Sequence, residues 1–408
     1  MTKIKILALA AGITGLAVAA FPQDHNTPLS HGLQMKDADQ ALTKQYWTND
    51  RLANTKPMPL PVVDPATVLP SVRALANPAA TPATPRILNG TRPTITPAKN
   101  NESQWAYTRQ DESLTTIKML DHSGTAATPS QESLSAKAAT FGYEFPFNNY
   151  QVPDINTYPY TAGGKLFFSV PPGASMPAGE YVCSGAVFYD SHTVLTARHC
   201  MYDYATGTWY SNFIFYPAWN RGPNPAFNNG WTVREAFTWT TNASTPDYDI
   251  GFLQLNDAAG FGCNGSSGTP PIWSYTGSLG VIYFGDVSQY GNIQETVVAY
   301  PQASPFTGDL MYQDMAVVAV TNPLGLANVV EIGNPQSDGS NGGPWIVGID
   351  PGAAANGINN TINGTNLITG LNSFKWTNPN QPLASNGPAF LGYNLWSLYL
   401  RYQQVPCQ

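Results

Sequence analysis

Three short stretches carry residue types suited to acyl transfer. They are VLTARHCMYD, with His199 followed at once by Cys200; TPDYDIGFLQL, where Asp249 opens an apolar run; and DGSNGGPW, a glycine-rich turn. A hydroxyl is a weak nucleophile at neutral pH, so an imidazole must take its proton. A carboxylate then fixes the tautomer of that imidazole and stabilises its charged form. Glycines let the backbone turn sharply and aim N–H groups at a developing oxyanion. Histidine, aspartate and a glycine-rich turn, in that chain order, match one of the known arrangements of such groups. Asp247 is a rival carboxylate two residues away, but the spacing to the apolar run favours Asp249.

These groups need a scaffold, and the sequence from about Phe141 onward supplies β-strands. GKLFFSV, YVCSGAVFY, TVLTARHC, NFIFYPAW, TVREAFTW, DIGFLQL, GVIYFG, ETVVAYP, MAVVAV, PWIVGI and LITGLNSF are short runs rich in β-branched and aromatic residues. Gly, Pro, Asn and Asp separate them, which is the pattern of an all-β barrel or sandwich. The length is enough for two small barrels side by side. NLWSLYLRYQQ has apolar residues at helical spacing and predicts a short C-terminal helix. Ahead of the β-rich part, helix formers dominate from residue 21 to about 56. Residues 57–99 are dense in Pro, Ala and Thr and read as a linker. Residues 100–140 stay polar with weak periodicity.

The chain has 408 residues and a net charge of −7, with only 11% charged residues and no basic block. That balance argues against a nucleic-acid partner, since phosphate binding needs clustered Lys and Arg. The N-terminus, MTKIKILALAAGITGLAVAAF, pairs Lys3 and Lys5 with an apolar run ending in small residues, the pattern of a secretory signal over residues 1–20. The run is shorter than the ~20 apolar residues that span a bilayer. The mature chain is therefore expected outside the cytoplasm, extracellular or periplasmic, without a membrane anchor. Export leads into an oxidising compartment where cysteines pair. Cys183, Cys200, Cys263 and Cys407 allow three full pairings, and the residues alone do not choose among them. No cofactor or metal motif is present, and Asn242, Asn264 and Asn363 open glycosylation-type triplets.

The three stretches resemble the chymotrypsin/trypsin family of secreted serine endopeptidases. TARHC is similar to the family's Thr-Ala-Ala-His-Cys signature, with Arg198 in place of a small residue. YVCSGAV is similar to its partner-cysteine segment, and DIGFLQL to its Asp-Ile-Ala-Leu-Leu-x-Leu. YPYTAGGKLFF and GSNGGPW lie closer to the bacterial glutamyl-endopeptidase-like branch. The resemblance covers about Tyr158 to Tyr402. It implies two antiparallel six-stranded-type barrels with a short C-terminal helix, preceded by a poorly ordered leader. By this division residues 1–20 are the signal, 21–140 a pro-region with linker, and 141–408 the protease-like domain. It implies His199 as general base and Asp249 as its orienting carboxylate. It also implies a Cys183–Cys200 disulfide, with Cys263 and Cys407 left to pair. Gly339 and Asn341 would supply the oxyanion N–H groups. Ser373 and Phe374, in GLNSFKW, would line the primary pocket and pair with substrate. The partner implied is a peptide or protein substrate of a monomeric protein.

One position departs from the family. Aligned without a gap, Asn341 stands where the nucleophilic serine belongs, and Ser340 lies one residue early. A carboxamide does not acylate usefully, so impaired hydrolysis is the expectation. Two alternatives stay open: an active enzyme with Ser340 as a shifted nucleophile, and a non-catalytic secreted binding protein.

Overall fold

The computed structural model describes residues 30–35, 37–64 and 86–95. From 147 to 403 it describes all but 190–191, 228–229, 241–245, 256–269, 292, 319, 322, 324–327, 354–363 and 378–383. The signal-like N-terminus, residues 100–140, Cys263, Cys407 and the three glycosylation-type asparagines lie outside the described residues.

The chain is mostly β. Six strands close into a barrel: Trp231–Trp239, Ser211–Pro217, Gly163–Val170, Gly179–Phe188, Thr193–Thr196 and Gly251–Leu255, the last returning to pair with the first. Closure removes the open edges that a free sheet would present. Phe167, Phe168, Phe188, Phe213 and Phe215 are among its fully buried side chains. Phe168 stacks on Tyr210 at 5.3 Å, and Phe188 tilts against Phe252 at 5.1 Å. The helix expected near the C-terminus runs Ser397–Tyr402 and follows a π-helical turn, Gly392–Trp396. Its Tyr399 and Tyr402 lie against Phe252 of the barrel.

The second half departs from the expected second closed barrel. Among the described residues it is an open seven-stranded sheet, with a separate three-stranded sheet of Val320–Thr321, Val329–Gly333 and Ala384–Pro388. The join between the sheets is irregular: isolated bridges, Phe374↔Asn386 and Phe284↔Leu391, and scattered backbone bonds such as Phe390 N–H to the Thr369 carbonyl at 3.1 Å take the place of a continuous ladder. Past the strand end, Asn372 N–H still donates to the Gly343 carbonyl at 3.0 Å, and its side-chain oxygen accepts hydrogen bonds from Asn334 and Trp345. The strand pair beside it carries a register shift between Trp345 and Ile346, and such an irregularity bends a sheet locally.

The segment ahead of the β-rich part packs on this body wherever it is described. Ser30–Gln34 pairs antiparallel with Trp231–Trp239. Helix Asp37–Tyr46 follows, then helix Asn49–Ala53, whose first turn is capped by Thr48. Trp47 Nε1 donates to the carbonyl of Asn212 at 2.6 Å, and Tyr46 donates to Glu180 at 2.6 Å. The chain then enters the cleft between the two halves. Residues 57–63, read from composition as linker, lie there as an extended strap. Further on, Arg86–Leu88 adds a strand to Gly280–Tyr283.

Candidate active site

His199 sits in a one-turn 3-10 helix, Arg198–Cys200, immediately after the barrel strand Thr193–Thr196. Cys200 is bonded to Cys183 on the neighbouring strand, which ties the histidine loop to the barrel wall. Asp249 lies just before strand Gly251–Leu255, which pairs with Thr193–Thr196. Adjacent strands therefore bring the two residues together. His199 Nδ1 is 2.8 Å from Asp249 Oδ2, and the His199 backbone N–H donates to Asp249 Oδ1 at 3.0 Å. Ser373 donates to the same Oδ2 at 2.5 Å. The rival Asp247 faces elsewhere, accepting from Tyr393 and Asn328.

The Asp249 carboxyl is almost wholly buried, and its charge has to be held there. Burial opposes ionisation, but His199, Arg198 and the Ser373 hydroxyl outweigh it and hold the group down to about 2. An ionised carboxylate accepts and does not donate. Nδ1 must then carry the proton of a neutral ring, which leaves the lone pair on Nε2. That is the tautomer a general base requires. Nε2 itself is buried and has no hydrogen-bond partner among the described residues.

The glycine-rich hairpin docks against the barrel opposite this pair. Ser184 ties the seam: its backbone N–H donates to the Asn341 carbonyl at 2.8 Å and its hydroxyl to the Gly339 carbonyl at 2.9 Å. Gly342 has φ +76°, and a Cβ there would lie 2.2 Å from Thr196 Oγ1 and 2.6 Å from the Ser184 carbonyl. Only glycine fits both the angle and the approach.

Asn341 and Ser340 are both fully buried. The two N–H groups of the Asn341 amide go to carbonyls of the strap, Met58 at 2.8 Å and Pro59 at 3.1 Å. Its Oδ1 is without a partner. The opposite amide orientation would set an oxygen against two carbonyl oxygens, so the hydrogen bonds fix which atom points where. With both protons spent on the strap, the amide has none left for His199 Nε2. Ser340 Oγ and His199 Nε2 are each without a hydrogen-bond partner, so the hydroxyl and the imidazole are not bonded to each other.

The strap runs through the cleft along one continuous set of backbone contacts. Lys56–Pro57 pairs parallel with Tyr181 and Val182, and Met58 N–H donates to the Val182 carbonyl at 2.9 Å. The Met58 carbonyl accepts from Gly339 N–H at 3.0 Å as well as from Asn341. Leu60 N–H donates to Asp338 Oδ1 at 3.0 Å. Lys375 N–H donates to the Pro61 carbonyl at 2.8 Å and Thr377 N–H to that of Val63 at 3.0 Å, in parallel register. Phe374 and Trp376 form a T-shaped pair at 5.0 Å, and Val63 packs on the cluster they make with Val329.

His199, Asp249, Asn341, Gly339 and Ser373 are thus gathered around one cleft, while Phe374 lies under the end of the strap. Sequence reasoning assigned no site role to Met58–Val63, Asp338 or Ser184. A signal for the first was in plain view: Pro57, Pro59 and Pro61 alternate, and each biases the residue before it to an extended backbone.

No family model matches the chain, and no curated protein matches it. Solved structures with a similar fold include a thermostable serine protease, AL20, from an extremophilic microorganism (22% identity, 60% of this chain and 98% of that one, TM-score 0.47). Others are the protease Anisep from Arthrobacter nicotinovorans (23% identity, 63% and 100% covered, TM-score 0.46) and a Glu endopeptidase (15% identity, 63% and 97% covered, TM-score 0.44). Among the described residues no group of His, Cys, Asp and Glu could hold a metal ion, and no helix is long and apolar enough to cross a membrane.

Proposed function

We propose that the chain is a secreted protein of the trypsin-like serine-endopeptidase type whose cleft binds extended polypeptide and does not hydrolyse it. His199 and Asp249 keep the arrangement of a base and its orienting acid. The reading rests on Asn341, whose carboxamide occupies the nucleophile's place in the turn and donates to two peptide carbonyls. Losing the hydroxyl of such a site leaves only the ~10³–10⁴-fold effect over water that binding and oxyanion contacts supply. Secretion is supported by the signal-like residues 1–20 and by the Cys183–Cys200 bond, which suits an oxidising compartment. The division into signal, pro-region to residue 140 and protease-like domain to residue 408 belongs to the same proposal, with the qualification that residues 30–64 pack on that domain.

The test uses fluorogenic peptides on chains carrying Leu60→Pro, which removes the N–H given to Asp338 and loosens the strap. With Asn341 in place no turnover is expected, and Asn341→Ser is expected to introduce it. Turnover with Asn341 in place that Ser340→Ala abolishes would sink the reading and make Ser340 the nucleophile.

A further inference from the structure

The geometry points to the cleft as a receptor for extended peptides with proline at every second residue, running in the direction of residues 56–63, which are its resident occupant. The inference rests on the non-hydrolysing reading above and names the ligand class for that cleft.

Proline has no N–H, so a peptide of the form Pro-x-Pro-x-Pro donates only from the intervening residues. The cleft supplies acceptors at those residues: the Val182 carbonyl for Met58 and Asp338 Oδ1 for Leu60. Its donors meet the carbonyls, from Gly339 and Asn341 through to Lys375 and Thr377. Such a peptide is already extended before it binds, so little conformational entropy remains to be lost. Met58 and Leu60, the side chains between the prolines, are both buried.

Asn341 is what makes this a receptor. A serine hydroxyl has one proton and can hold one carbonyl, whereas the carboxamide has two and holds consecutive ones. The bond whose carbonyl lies under Gly339 and Asn341 joins Met58 to Pro59, so its nitrogen is locked in a ring. The strap is also tethered by the helices that precede it. Its effective concentration is therefore in the millimolar range or above, and a free peptide must compete with it.

The probe is the nine-residue peptide KPMPLPVVD with an N-terminal fluorophore, read by anisotropy against the full chain. A control peptide has alanine at all three prolines. Leu60→Pro is expected to raise affinity for the probe at least tenfold over the native chain, since the internal competitor is weakened. Adding Asn341→Ala is expected to cost tenfold or more of that gain, and the alanine peptide is expected to bind at least tenfold more weakly than the probe. Equal binding by native and Leu60→Pro chains would overturn the inference. So would indifference to Asn341→Ala or to the prolines. Val63→Asp, which unseats the far end of the strap, repeats the comparison if Leu60→Pro does not fold. Mass spectrometry of the recovered probe separates the two claims. A cut probe defeats the non-hydrolysing reading, and anisotropy alone decides the receptor.

Discussion

On the barrel side of the cleft both carboxylate oxygens of Asp249 are occupied and His199 is held by two bonds to it. On the hairpin side, Ser340 Oγ and Asn341 Oδ1 have no partner, and the Asn341 nitrogen is turned to the strap. His199 and Asp249 are bonded in the arrangement that the proposed function assigns to a base and its acid, while the opposite wall gives its amide protons to the strap carbonyls. On that proposal, one half of the site keeps the electrostatics of a mechanism while the other half serves binding. The two halves of the molecule differ in the same way. The first barrel closes, while the second half stays open, and the end of the strap pairs there with Lys375–Trp376 as a separate two-stranded sheet.

The largest expected effect concerns charge. Burial pushes the carboxyls of Glu295 and Glu331 in the second half, and of Glu235 in the first, up to about 7, and Asp314 is driven well above its ordinary value. Their folded-state values lie above the unfolded ones, so their contribution is complete below about pH 4.5 and is lost as pH rises through 7. Asp249 is held down instead, so its contribution is complete above about pH 4 and is lost as pH falls toward 2. Thermal stability should peak near pH 4–5 and fall by on the order of 3 kcal/mol or more by pH 8. Glu295→Gln should flatten the alkaline limb. A melting profile level from pH 5 to 8 would break this contrast between the raised carboxyls and Asp249.

Removing the barrel-side bond comes next. Cys183→Ser with Cys200→Ser should cost about 2–5 kcal/mol in denaturant unfolding. It should also free the His199 loop, which a broadened His199 imidazole NMR signal would report. On the hairpin side, Gly342→Ala should cost about 1–3 kcal/mol through backbone strain alone, with the clash against Thr196 and Ser184 added. If the alanine were neutral, the docking of the hairpin on the barrel would be wrong.

The barrel side was the more legible in sequence, for a physical reason. His199, Cys200, Asp249 and the strands that carry them form local patterns, and the Cys183–Cys200 pair lies 17 residues apart. The strap joins residue 62 to residue 375, a pairing that no local pattern encodes. Its composition, rich in Pro and Ala with the residues that follow, suggested chain with nothing to bury. The alternation of proline was the usable clue, because such a segment cannot form a helix and leaves its carbonyls free for water or for donors elsewhere in the chain. The second barrel was over-read. Strand runs were visible there, but the register shift between Trp345 and Ile346 and the scattered bonds between the two sheets were not.

The smallest effect tests the one bond that crosses between the halves at the acid. Ser373 comes from the second half and gives its hydroxyl to an oxygen of Asp249 that the imidazole also reaches. Ser373→Ala should cost about 1–3 kcal/mol, the range for a hydrogen bond to a charged group. It should also raise the Asp249 value, because one of the groups favouring the ionised form is gone. The loss should therefore be largest above pH 4 and shrink as pH falls through about 2, where Asp249 is half protonated in the native chain. A purely packing role for Ser373 would give a loss independent of pH. Measuring Ser373→Ala and the native chain across that range distinguishes the two, and shows whether the second half supports the proton-handling pair or only the strap.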